Sequence, residues 1–143
     1  MLRSGLHIAC WGPKGGRLGR KTSLMPLDVP EALEILLKAG GNPNLKDTAG
    51  NTPMNVAAAT NGYRCIPILL KYGADINIAS IKGNTPTMKA LYRGQIESYE
   101  ILLKYGPDLS KVNNKGFSLL EMVLVFDNLK TLEYFFDKPE SIP

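Results

Sequence analysis

The chain has 143 residues, 44% of them hydrophobic and 21% charged, the balance of one soluble globular domain and not of a disordered or membrane-embedded chain. Its uncharged stretches are shorter and more mixed than the roughly 20 apolar residues a bilayer span needs, and Met1 to Trp11 carries no small-residue cleavage site, so no secretory signal is expected. The net charge of +4 is local: Lys14, Arg17, Arg20 and Lys21 stand between Pro13 and Leu27 without an acid, and the remaining 13 basic and 13 acidic residues cancel.

In chain order the sequence repeats itself, and a repeat decides architecture before any local propensity does. A helix-start segment, Ser4-Gly5-Leu6-His7-Ile8-Ala9-Cys10, is followed by the basic stretch Pro13–Leu27 and then by a second helix ending in Ile35-Leu36-Leu37-Lys38-Ala39-Gly40. The Ile-Leu-Leu-Lys-x-Gly ending returns at Ile68–Gly73 and Ile101–Gly106, each 33 residues after the last. Gly50-Asn51-Thr52-Pro53 returns as Gly83-Asn84-Thr85-Pro86 with the same 33-residue period, and a weaker copy opens at Gly116. The predicted helix pairs are Leu2–Leu37 with the insertion, Thr52–Tyr72, Thr85–Tyr105 and Ser118–Asp137.

Elementary chemistry accounts for these motifs. Thr52 and Thr85 offer a side-chain oxygen to orphan helix amides, and Pro53 and Pro86 follow where a first-turn N–H is not missed. Gly73 and Gly106 stand at helix ends, where a left-handed residue is wanted. The triplets Ile68-Leu69-Leu70 and Ile101-Leu102-Leu103 make apolar stripes too wide for one neighbour, so each second helix is expected to be covered on both sides. Leu129, Leu132, Tyr134, Phe135 and Phe136 are more apolar than a terminal cap should be, and Pro139 replaces the turn glycine.

Thr52-Pro53-Met54-Asn55-Val56-Ala57-Ala58, Thr85-Pro86 with Ala90, and Gly73-Ala74-Asp75-Ile76-Asn77 resemble the ankyrin repeat family. Weaker turns stand at Gly40-Gly41-Asn42-Pro43-Asn44 and Gly106-Pro107-Asp108-Leu109-Ser110. The resemblance implies an all-α solenoid of about four helix–turn–helix repeats with short β-turn or hairpin fingers. The expected domain is 1–138, with repeats near 1–46 (carrying insertion 13–27), 47–79, 80–112 and 113–138, and a tail at 139–143.

Catalytic signatures are weak. Gly15-Gly16-Arg17-Leu18-Gly19-Arg20-Lys21-Thr22 nearly spells a phosphate loop, but Arg20 stands where glycine is needed and no strand precedes it. His7 is the sole histidine, and Cys10 and Cys65 lack a Cys-x-x-Cys partner, so neither metal site nor paired nucleophile is expected. Glu31 with Glu34, and Glu97 with Glu100, read as solvated helix faces; Asp75 and Asp108 read as turn acceptors. No catalytic residue, metal or cofactor is assigned, and two apolar-set cysteines fit a reducing, cytoplasmic setting.

What remains is a surface. Aligning the first helices puts Ile8, Val56, Lys89 and Met122 at one position, Trp11, Ala59, Tyr92 and Val125 three residues on, and Gly12, Thr60, Arg93 and Phe126 next. The resemblance implies that this row faces a concave groove, with turn tips supplying Asn51, Lys82, Asn84, Lys115 and Phe117. Trp, Tyr, Arg, Met and Phe are the residues of interface hot spots. The expected partner-binding set is therefore Trp11, Lys89, Tyr92, Arg93, Met122, Phe126, Asn51, Lys82, Asn84, Lys115 and Phe117, and the function a non-catalytic protein-binding module, an inhibitor or adaptor. An immunity-type protein that neutralises a toxin enzyme is one version. Phosphate or nucleic-acid binding by Lys14, Arg17, Arg20 and Lys21 is the alternative, disfavoured because no basic stripe continues beyond the insertion. No membrane partner is expected, and the state is a monomer or a weak self-associate.

Overall fold

The computed structural model describes residues 29–143. The expectations placed on Ser4–Cys10, Trp11 and the basic stretch 13–27 lie outside the described residues. The described chain forms seven α-helices and no strand: α1 (Pro30–Lys38), α2 (Pro53–Ala59), α3 (Cys65–Lys71), α4 (Pro86–Tyr92), α5 (Ile96–Lys104), α6 (Leu119–Val125) and α7 (Leu129–Asp137), followed by a 3-10 turn at Pro139–Ser141. It is an all-α repeat solenoid.

Each first helix begins as its cap residues dictate. The Thr52 hydroxyl accepts from the amide of Asn55, and Thr85 does the same for Met88, both at 3.3 Å, with proline at the first helical position. Ser118 starts α6 through a capping box: its Oγ accepts from the Glu121 amide while the Glu121 carboxylate accepts from the Ser118 amide at 2.7 Å. Gly73 and Gly106 have φ of +86° and +64°, the left-handed conformation their place at the helix ends requires.

The first helices stack as α2–α4–α6 and the second as α1–α3–α5, with α2 and α4 each also packed on its own second helix. The core runs continuously through the stack, from Leu33 and Leu37 through Met54, Ile66 and Leu69 to Met88, Tyr99, Leu102, Val123 and Phe135. That continuity is the coverage the wide apolar stripes demanded, and burial of this kind is what holds short helices that would not persist alone. Polar bonds fasten α7 to the stack: the Thr131 hydroxyl donates to the Leu91 carbonyl at 2.7 Å and Asn128 Nδ2 to the Tyr92 carbonyl at 2.9 Å.

Three five-residue fingers connect the repeats, at 47–51, 80–84 and 113–117. Each closes with the same pair of bonds: Gly50, Gly83 and Gly116 donate to Asp47, Ser80 and Asn113, and the first residue of each finger donates back to the last. The fingers are β-turns and not paired strands, so the expected hairpins reduce to turns among the described residues. Adjacent tips are tied by Ile81 donating to Ala49 and Asn114 to Lys82, at 3.0 and 3.1 Å.

The last repeat differs in one respect. Met54 and Thr87 are buried by the repeat that follows, and so are Ala58 and Leu91; their counterparts Leu120 and Leu124 are exposed, as are Leu129 and Phe136 on α7. Of the five apolar α7 residues flagged by the sequence, Phe135 is buried and Leu132 and Tyr134 are half-buried. No described helix is long and apolar enough to cross a membrane.

Candidate functional site: the finger-side face

Fingers and first helices meet along one face, and the Lys89 ammonium marks the junction by donating from α4 to the Asn51 Oδ1 of the preceding finger. On this face Tyr92, at the end of α4, packs against Phe126, at the end of α6, with ring centroids 5.2 Å apart and tilted by 37°. Arg93 lies over the outer side of Tyr92, its guanidinium carbon 5.7 Å from the ring centroid and its Nε donating to the phenol oxygen at 3.3 Å. Phe126 is 50% exposed, Val125 and Arg93 are exposed, and Tyr92 and Lys89 are half-buried. Tyr92 shares its register with Val125 and Arg93 with Phe126, so the two rings occupy adjacent positions at the ends of stacked first helices and meet side by side.

The expected residues divide by what they touch. Tyr92, Arg93 and Phe126 come together as one cluster; Lys82 and Lys115 project from consecutive finger tips and are exposed. Asn51, only 8% exposed, is occupied by Asp47 and Lys89, and half-buried Asn84 accepts from Asn113 Nδ2 at 3.1 Å. These two asparagines brace fingers. Phe117 is half-buried, its amide held by Asn113 Oδ1. Met122 is 1% exposed, with its sulfur 3.0 Å from Asn113 Nδ2, so it packs beneath the last finger and does not present a surface. The alignment puts it in register with Lys89, but a lysine can extend its head to Asn51 while a thioether is better placed inside. Trp11 and the four basic residues Lys14, Arg17, Arg20 and Lys21 lie outside the described residues.

Sequence reasoning passed over Asn113 and Asp47, which organise the fingers. Asn113 Oδ1 accepts from the amides of Lys115 and Phe117, both at 3.0 Å, and Asp47 Oδ1 from those of Ala49 and Asn51 at 2.9 and 2.8 Å. Their position at the first residue of a turn was the available signal. Leu120 and Leu124 were also readable, because their counterparts one period back are core residues.

No group of three metal-ligating side chains gathers among the described residues. The shifted acids are explained by local structure. Glu121 is held below the usual carboxylate range by its Ser118 hydroxyl and amide donors, and Asp108 by the corresponding donors of Ser110. Glu34 and Glu100 are lowered first by hydrogen bonds from Lys71 and Lys138. Cys65 is buried in the core.

A family model described as ankyrin repeats (3 copies) matches residues 27–113. No curated protein matches the chain. The family is typically a non-catalytic protein-interaction module. The cap residues, the fingers, the stacked helix pairs and the family match agree: the chain belongs to the ankyrin repeat family.

Proposed function

We propose that this protein is a non-catalytic interaction module that holds a partner protein on its finger-side, concave face, acting as an inhibitor or an adaptor within one repeat domain. The observation that carries this reading is the Tyr92–Phe126 pair with Arg93 beside it: two aromatic rings and an exposed guanidinium brought together where the ends of α4 and α6 meet. Aromatic rings and arginine are the types that dominate binding energy when a partner covers them. A structural role accounts less well for them, because the core is complete without them: the buried cluster passes through Met88, Leu91 and Val123 instead.

The test is comparative affinity capture from the native lysate with the intact protein and a Tyr92→Ala/Phe126→Ala variant, read by mass spectrometry, with thermal unfolding of both as the control. A protein retained by the parent and lost from a variant of unchanged melting temperature supports the reading. Identical capture by both would move the binding face elsewhere.

A further inference from the structure

Charge divides the described residues between two faces. On the second-helix side, acids and bases pair with each other across repeats: Arg64 with Glu31 at 3.7 Å, Lys71 with Glu34 at 3.2 Å and Lys138 with Glu100 at 2.8 Å. Each of these pairs links α1, α3, α5 or α7 or a residue flanking them.

The finger side is arranged differently. Lys82 and Lys115 hold the same place in consecutive fingers and both are exposed, while the Lys82 carbonyl accepts from Asn114 and so keeps the two tips adjacent. Arg93 is engaged with the Tyr92 ring and phenol. None of Lys82, Arg93 and Lys115 is paired with a carboxylate among the described residues. The neighbouring acids are turned to backbone duty: Asp47 accepts from the amides of Ala49 and Asn51, and Glu121 from the amide and hydroxyl of Ser118. Asp127 follows Phe126 at the end of the row. The face therefore sets three cations that no described carboxylate contacts beside an apolar anchor point.

We propose that this face takes an acidic polypeptide segment: an Asp- or Glu-rich stretch with one aromatic or aliphatic residue that lodges against Tyr92 and Phe126 while Lys82, Arg93 and Lys115 meet its carboxylates. This rests on the finger-side face being the binding face. A polypeptide fits better than a nucleic acid, because the face offers one apolar cluster, with Arg93 against it, and not a series of separate stacking rings along a phosphate track. Complementary charge of this kind chiefly speeds encounter and excludes basic partners, and apolar contact prolongs the complex.

The experiment is selection of a random dodecapeptide display library on the full chain, followed by association kinetics of the synthesised winners on the parent, on Lys82→Glu/Lys115→Glu and on Tyr92→Ala/Phe126→Ala, with an oligothymidine as a competing probe. The expected result is a winner pool enriched in Asp and Glu around an apolar residue. Association should slow about tenfold on the charge-reversed variant at low salt and converge with the parent at high salt. Winners without acidic excess, no winners at all, or oligothymidine binding that displaces them would overturn the proposal. The broader reading fails separately, if a lysate partner is retained undiminished by Tyr92→Ala/Phe126→Ala.

Discussion

The backbone amide of Asp108 donates to Asn77 Oδ1 at 2.8 Å, and one period earlier the amide of Asp75 donates to Asn44 Oδ1 at the same distance. Asn44 Nδ2 also reaches the Gly73 carbonyl at 3.2 Å. Each asparagine thus fastens its own turn to the next, while each aspartate folds its turn internally, Asp75 accepting from Asn77 and Asp108 from Ser110. The ladder ends at Ser110, which bonds back to Asp108. Asn44→Ala and Asn77→Ala should each cost about 1 kcal/mol, the net worth of such a bond. In a stack governed by neighbour contacts the two losses should nearly add in the double variant, as urea unfolding would measure.

Two left-handed glycines allow a sharper comparison. Gly83 and Gly106 both have positive φ, but a Cβ at Gly83 would come 2.7 Å from the Asn114 amide nitrogen, whereas Gly106 has open space. Gly106→Ala should lose about 1–2 kcal/mol from left-handed strain alone. Gly83→Ala should lose more, and amide exchange at Asn114 should accelerate, because the added methyl separates the tips that its N–H joins.

Alkaline stability should report on Tyr99. Its hydroxyl donates to the Ser141 carbonyl at 2.9 Å, and burial, followed by the proximity of Tyr134, pushes its pKa up to about 12. The folded state therefore keeps the proton that the unfolded chain releases near pH 10. The resulting stability is present below that pH and is lost as pH rises toward 12. Tyr99→Phe should flatten the decline of melting temperature between those limits while lowering it at neutral pH, where the hydroxyl bond is missing.

The acid limb belongs in part to Glu100. The hydrogen bond from Lys138 is the main cause of its lowered pKa, and a bond from Tyr134 adds to it. A depressed carboxylate contributes stability above its unfolded pKa and loses it as pH falls through the folded value. Both side chains are substantially exposed, so solvent screens the pair and Lys138→Met should lower stability only slightly at neutral pH. The difference between variant and parent should vanish in acid and shrink in high salt, as pH-dependent thermal unfolding would record.

Exposed apolar residues on α7 should behave as surface. Phe136 is 85% exposed, so Phe136→Ser should change unfolding free energy by no more than about 0.5 kcal/mol, in contrast to Phe135→Ala at a buried site, where about 3–5 kcal/mol is expected. Paired denaturation curves make the contrast directly.

The sequence by itself determined the helix starts, the helix ends and the period, because threonine caps, first-turn prolines and left-handed glycines act through bonds within a few residues of themselves. It also placed Tyr92, Arg93 and Phe126 in one row, since a fixed repeat converts sequence register into spatial adjacency. Only tertiary structure decided which members of that row reach the surface. Met122 and Lys89 share a register, but one lies under the last finger and the other crosses to Asn51, a distinction made by three-dimensional packing. Packing also decided the charge pattern: three acid–base pairs form on the second-helix side, and Lys82, Arg93 and Lys115 are left without a carboxylate partner among the described residues, because Coulomb partners are chosen by distance in space and not by spacing in sequence.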